Sequence, residues 1–186
     1  DRENGLVTVS GLAETVTLAH ADGGLDQLRI ATGAGDDVID ASNLAAHQIN
    51  LAIDAGAGND TILGSQGNDI VTGGQGNDVA ALGAGDDSFV WNPGDGSDTV
   101  DGQSGTDTLI FNGANIGENI SISANGSQAV LSRDVANITM HLTSIEHIDL
   151  HTLGGADNIT VNDLTGTGVK QVDVDLSASS GGGDGL

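Results

Sequence analysis

The 186-residue sequence predicts an all-β chain of short strands wound as a flattened solenoid. Three observations predict it. A nine-residue unit, with Gly at position four and Asp at position six, repeats through the middle of the chain. Outside that array, apolar residues alternate with polar ones, the period of a half-buried strand. Gly and Asp, both poor in helix interiors, recur every few positions, with 30 Gly and 23 Asp.

The strands come in order. Leu6–Val9 and Thr15–Leu18 alternate near the start, as do residues 49–53 further on. One helical turn is expected, over Asn43–His47. The array then begins in earnest. Residues 55–63, 64–72, 73–81 and 82–90 are four consecutive nonapeptides with Gly58, Gly67, Gly76 and Gly85 at position four. Asp60, Asp69, Asp78 and Asp87 hold position six, and Ile62, Val71, Ala80 and Phe89 hold position eight. Position two is Gly56, Ser65, Gly74 or Gly83. Upstream, residues 32–40 fit the same template with Gly33, Gly35 and Asp37. Downstream, after an inserted Trp91-Asn92, residues 93–101 carry Gly94, Gly96 and Asp98. Residues 102–110 carry Gly105 and Asp107, with Gln103 at position two. Weaker copies end at Asp26 and Asp157.

Each position has a physical role. Gly at positions two and four permits positive φ and close backbone approach, so six residues close a tight turn. The next three form a strand whose position-eight side chain faces the core. Nine residues then make half a coil, and loops alternate between two edges. Asp60, Asp78 and Asp98 fall on one edge, and Asp69, Asp87 and Asp107 on the other. The two-residue insertion is even, so strand facing is kept. The longer interval from Asp37 to Asp60 reads as one enlarged coil with a corner at Asn43–Gln48.

This geometry creates an electrostatic problem. The chain holds 27 Asp+Glu against 4 Lys+Arg, a formal charge of −23. Coils stack about 4.8 Å apart. Carboxylates at that spacing repel by roughly 1 kcal/mol in water and about 3–4 kcal/mol at an effective dielectric of 20. A hard divalent cation between loops reverses the sign. Paired carboxylates and loop carbonyls offer the oxygen cage that Ca²⁺ takes; Mg²⁺ keeps its water, and zinc takes N or S ligands.

The array resembles the RTX, haemolysin-type, calcium-binding nonapeptide family, with motif G-G-x-G-x-D-x-U-x, over residues 32–110. The resemblance implies a right-handed parallel β-roll with Ca²⁺, about five ions, between successive loops. The ligand set it implies comprises Gly33, Gly35 and Asp37; Gly56, Gly58 and Asp60; Ser65, Gly67 and Asp69; Gly74, Gly76 and Asp78. It continues with Gly83, Gly85 and Asp87; Gly94, Gly96 and Asp98; and Gly105 and Asp107. It also implies type I export and folding in external calcium, in a secreted or surface-bound bacterial protein.

Composition excludes other classes. Four cations are too few to bind nucleic acid. No apolar run reaches the roughly 18–20 residues of a membrane span. With no Cys there is no disulfide scaffold and no thiol chemistry. Solenoid lyases need cations beside an acidic substrate, and Arg2, Arg29, Arg133 and Lys170 are scattered. The expected module is therefore not an enzyme. Its partners are calcium and the rest of a longer polypeptide, since both termini read as cut ends, and it is expected to be a monomer.

Residues 1–31 and 114–186 are expected to flank the 32–113 roll as larger solenoid coils, mostly metal-free after 113. Three local features carry second readings. His147, Asp149 and His151 share one strand face, either a polar surface or a transition-metal site. Trp91 with Phe89 packs at a corner or stacks on a sugar. Asp36, Asp86 and Asp95 are outward charges or added ligands. The alternative function is calcium-dependent recognition of a polysaccharide or cell surface, within an adhesin or a polysaccharide-modifying enzyme.

Overall fold

The structure is a computed structural model that describes residues 7–11, 16–21 and 25–177. Leu6, Thr15, Arg2 and residues 178–186 lie outside the described residues. The first strands are β1 (Val7–Val9), β2 (Val16–Leu18), β3 (Gln27–Ala34), β4 (Val38–Asp40), β5 (Asn50–Ala57) and β6 (Thr61–Leu63). Then come β7 (Asp69–Gln75), β8 (Val79–Ala81), β9 (Ser88–Trp91), β10 (Thr99–Asp101) and β11 (Thr108–Asn112). The last are β12 (Asn119–Asn125), β13 (Gln128–Arg133), β14 (Ile138–Thr143), β15 (His147–His151), β16 (Asn158–Val161) and β17 (Gln171–Asp175).

From β3 to β11 successive strands alternate between two sheets, because each glycine turn reverses the chain across the roll, while β1 and β2 pair antiparallel in a sheet of their own. One sheet runs β3-β5-β7-β9-β11-β15-β17, and the other β4-β6-β8-β10-β14-β13-β12-β16. The array strands pair in parallel throughout. The chain is thus all-β, and β3–β11 wind as a parallel roll.

Register follows the repeat. Ile30, Ile53 and Val71 stand opposite one another in one sheet, and Phe89 and Leu109 continue the row. Ile39, Ile62, Ala80 and Val100 form the facing row. All of these except the half-buried Ile30 are buried. Position eight therefore builds the core. The insertion leaves facing intact: Trp91 extends β9 and lies opposite Phe111. Their rings stack with centroids 4.2 Å apart. Trp91 is fully buried and its Nε1–H donates to Gly96 O at 2.8 Å, so it offers no platform to a sugar.

Two regions depart from expectation. Residues 43–47 form turns, with no helix among them; Leu44 N donates to Ala41 O and His47 takes φ +63°. The enlarged coil has to turn out and back over this short span, which a continuous helix would overshoot. Further on, β12, β13 and β14 form an antiparallel meander, β12 with β13 and β13 with β14. The β12–β13 turn is Gly126-Ser127, with Gly126 at φ +65°. Two residues close a hairpin and cannot make a parallel crossover. The coil-by-coil winding is interrupted there, and β14 rejoins the array beside β10 in parallel.

Candidate metal centre

The loops over 33–37, 56–60, 74–78 and 94–98 stack along one edge. Those over 65–69, 83–87 and 103–107 stack along the other. Close stacking is possible because the loops lack Cβ atoms where they meet. Gly56 and Gly74 take φ +107° and +99°, and a Cβ on either would fall on the carbonyl oxygen of Gly33 or Gly56 in the coil before. Main-chain oxygens are thereby packed into the gap between loops. Gln103, at a position otherwise given to Gly, adopts the left-handed conformation too, at φ +67°.

The aspartates bind these loops together in one direction. Asp37 N–H donates to Asp60 Oδ1 at 2.8 Å, Asp60 N–H to Asp78 Oδ1 at 2.8 Å, and Asp78 N–H to Asp98 Oδ1 at 2.9 Å. On the other edge Asp69 N–H donates to Asp87 Oδ1 at 2.8 Å and Asp87 N–H to Asp107 Oδ1 at 2.9 Å. Each carboxylate thus reaches back into the gap below it. Its second oxygen is a different matter. Oδ2 of Asp37, Asp60, Asp78, Asp87, Asp98 and Asp107 is buried and accepts no hydrogen bond. An ionised oxygen buried without a partner is costly, and here the cost recurs on six aspartates.

The electrostatics agree. Burial pushes the Asp87 and Asp98 carboxyls up to about 7 and that of Asp107 up to about 6. Ladder neighbours add to it, Asp69 and Asp107 around Asp87, and Asp78 below Asp98. Burial raises Asp78 as well. Paired carboxylates in a dry, oxygen-lined gap fit a hard divalent cation, which would meet the orphaned Oδ2 atoms and the loop carbonyls together. Among the described residues no three His, Cys, Asp or Glu side chains converge to hold a metal. An ion in these gaps therefore depends on main-chain oxygens as well as on aspartates. His147, Asp149 and His151 lie along β15, half-buried, without forming such a group.

Asp69 is the exception on its ladder. Its Oδ2 accepts from Ser65 N at 2.6 Å and its Oδ1 from Ser65 Oγ at 2.9 Å, so neither oxygen is orphaned. The coil below is the 43–48 corner, and Gln66 N–H bonds there to Leu44 O. That corner supplies no glycine loop, so Asp69 has no stacked glycine loop below it. Ser65 O instead faces the next loop, where a Cβ on Gly83 would meet it.

A second ladder escaped the sequence reading. Position-five side chains accept from the coil that follows: Asp36 Oδ1 from Asn59 N, Asn59 Oδ1 from Asn77 N, and Asn77 Oδ1 from Ser97 N. On the other edge Asn68 Oδ1 accepts from Asp86 N, and Asp86 Oδ1 from Thr106 N. Asp36 and Asp86 are thus exposed backbone caps. The recurrence of Asn or Asp at position five was the available signal. Asp95 serves its own turn, accepting from Asn92 N at 2.7 Å.

Comparison with known families agrees with this geometry. The model of the RTX calcium-binding nonapeptide repeat matches residues 29–43, 53–89 and 94–115, in four copies. No curated protein and no solved structure matches the chain. The matched residues contain the glycine loops, both ladders and every orphaned carboxylate oxygen described above. The residues matched are RTX calcium-binding nonapeptide repeats, and it is this part of the chain that the family model describes.

Proposed function

We propose that the chain is a non-enzymatic calcium-binding module of a secreted or surface-bound bacterial protein, and that it folds and stiffens on meeting external Ca²⁺. The observation that supports this most directly is the repeated orphaned Oδ2, a buried unmet acceptor on Asp37, Asp60, Asp78, Asp87, Asp98 and Asp107. The gaps closed by Asp60, Asp78, Asp98, Asp87 and Asp107 are five in number. One ion in each meets those acceptors and turns carboxylate repulsion into cross-linking between coils. Because the gaps exist only when loops are stacked, binding energy is folding energy. Extracellular calcium sites bind at about 10⁻⁴–10⁻³ M, which leaves such a module loose inside a cell and folded outside it. No helix among the described residues is long and apolar enough to cross a membrane.

Trp91 reports the transition from inside the core. Adding chelator at low salt is expected to shift its emission to longer wavelength and to reduce the far-UV β signal, and millimolar calcium is expected to restore both. Unchanged spectra on chelation would defeat the proposed switch.

A further inference from the structure

Two of the four cations in the sequence, Arg133 and Lys170, stand where the carboxylate ladders run out. On one edge the last aspartate, Asp107, donates its N–H to Glu146 Oε2 at 3.0 Å. Lys170 Nζ lies 4.0 Å from Glu146 Oε1. On the other edge Glu118 closes the loop over 113–118. It repeats the ladder pattern, since its N–H donates to Asp157 Oδ1 at 3.0 Å. A Cβ on Gly113 would fall on Glu118 Oε2, as one on Gly73 would fall on Asp78 Oδ2 and one on Gly102 on Asp107 Oδ2. Glu118 Oε2 therefore occupies in its loop the place of the orphaned aspartate oxygens.

Glu118 is not orphaned, although its side chain is fully buried. Oε2 accepts from Ala114 N at 3.1 Å, and Oε1 is ion-paired with the guanidinium of Arg133. Arg133 is itself 4% exposed, donates to Val135 O at 3.2 Å and lies 5.3 Å over the Trp91 ring. Trp91 in turn bonds to Gly96 O in the Asp98 loop. A permanent, multiply bonded positive charge supplied by the chain thus sits beside Glu118, whose loop follows the aspartate array in the chain. The extra methylene of Glu lets one oxygen hold the ladder position while the other turns to the cation.

We propose that residues 113–177 form a calcium-independent cap in which Arg133, aided on the other edge by Lys170, takes the place of a metal ion. This cap does not rest on the calcium reading above.

Hydrogen exchange on the full chain tests it. In chelator, amides of 119–151 are expected to stay protected while those of 50–110 exchange about tenfold or more faster. Arg133→Met, which keeps bulk and removes charge, is expected to lose the chelator-resistant protection of 119–151. Arg133→Met with Glu118→Gln, which removes both charges, is expected to recover much of it. Lys170→Gln is expected to change it little, because that ammonium is 70% exposed. The proposal is overturned if wild-type 119–151 exchanges in chelator as fast as 50–110, or if Arg133→Met retains the protection. It is also overturned if the double variant is no better than Arg133→Met, since packing rather than charge would then be responsible. If added calcium leaves exchange at 50–110 unchanged, the calcium switch fails, and protection at 119–151 stands or falls separately.

Discussion

Asp78 sends Oδ1 to the N–H of Asp60 in the coil below and leaves Oδ2 buried and unmet. The first oxygen aligns the loops and the second demands a cation. Asp69 has the same position in its repeat, yet both its oxygens are held by Ser65. The two residues are indistinguishable by phase and differ in what lies in the coil below. Asp78→Ala is therefore expected to lower calcium stoichiometry by at least one ion and to weaken the sites in the neighbouring gaps. Asp69→Asn is expected to leave stoichiometry unchanged. Isothermal titration of both variants checks this, and equal stoichiometry in Asp78→Ala and the parent would refute the stacking assigned here.

At the level of the loop, two glycines with the same backbone demand have different surroundings. Gly74 and Gly94 take φ +99° and +110°. A Cβ on Gly74 meets the Gly56 carbonyl, and one on Gly94 meets nothing within 4 Å. Both substitutions by Ala incur left-handed strain of about 1–2 kcal/mol. Gly74→Ala also separates two loops, so its calcium midpoint is expected to rise well beyond that of Gly94→Ala, as read by calcium-dependent circular dichroism. The need for Gly was legible in the motif; the reason that separates these two positions was not, because it is a contact between coils. The meander is the converse case. Gly126-Ser127 between the alternating runs β12 and β13 is a hairpin signal present in the sequence. It was obscured by the assumption that coils simply continue.

For the whole molecule, the formal charge of −23 sets the sign of the pH response. Asp87 and Asp98 titrate near 7 in the folded, metal-free chain because burial raises them, and Asp107 near 6. In the unfolded chain they titrate as ordinary carboxyls near 4. Between about pH 4 and 7 the folded state therefore binds more protons, and its stability falls as pH rises. The metal-free chain is expected to gain β structure and melting temperature when acidified from pH 8 to 5. Protons compete with calcium for the same oxygens, so the calcium midpoint is expected to rise over the same range. A metal-free melting temperature that is flat from pH 5 to 8 would count against ladder carboxylates in dry gaps. With about five ions, the net charge at neutral pH falls to roughly −13.

Sequence alone determined the winding, its two edges and the position-eight core. All follow from a period, and a nine-residue period dictates which residues share a face whatever the coils touch. It also kept strand facing through the Trp91-Asn92 insertion, because facing depends only on parity. Tertiary structure decided which aspartates keep an unmet oxygen, where Trp91 packs, and how each ladder ends. Those outcomes depend on contacts between coils 18, 20 or 23 residues apart. Across the 15 residues between Glu118 and Arg133 they depend on a hairpin. That hairpin brings one of the few cations in the chain to Glu118, a fully buried acid.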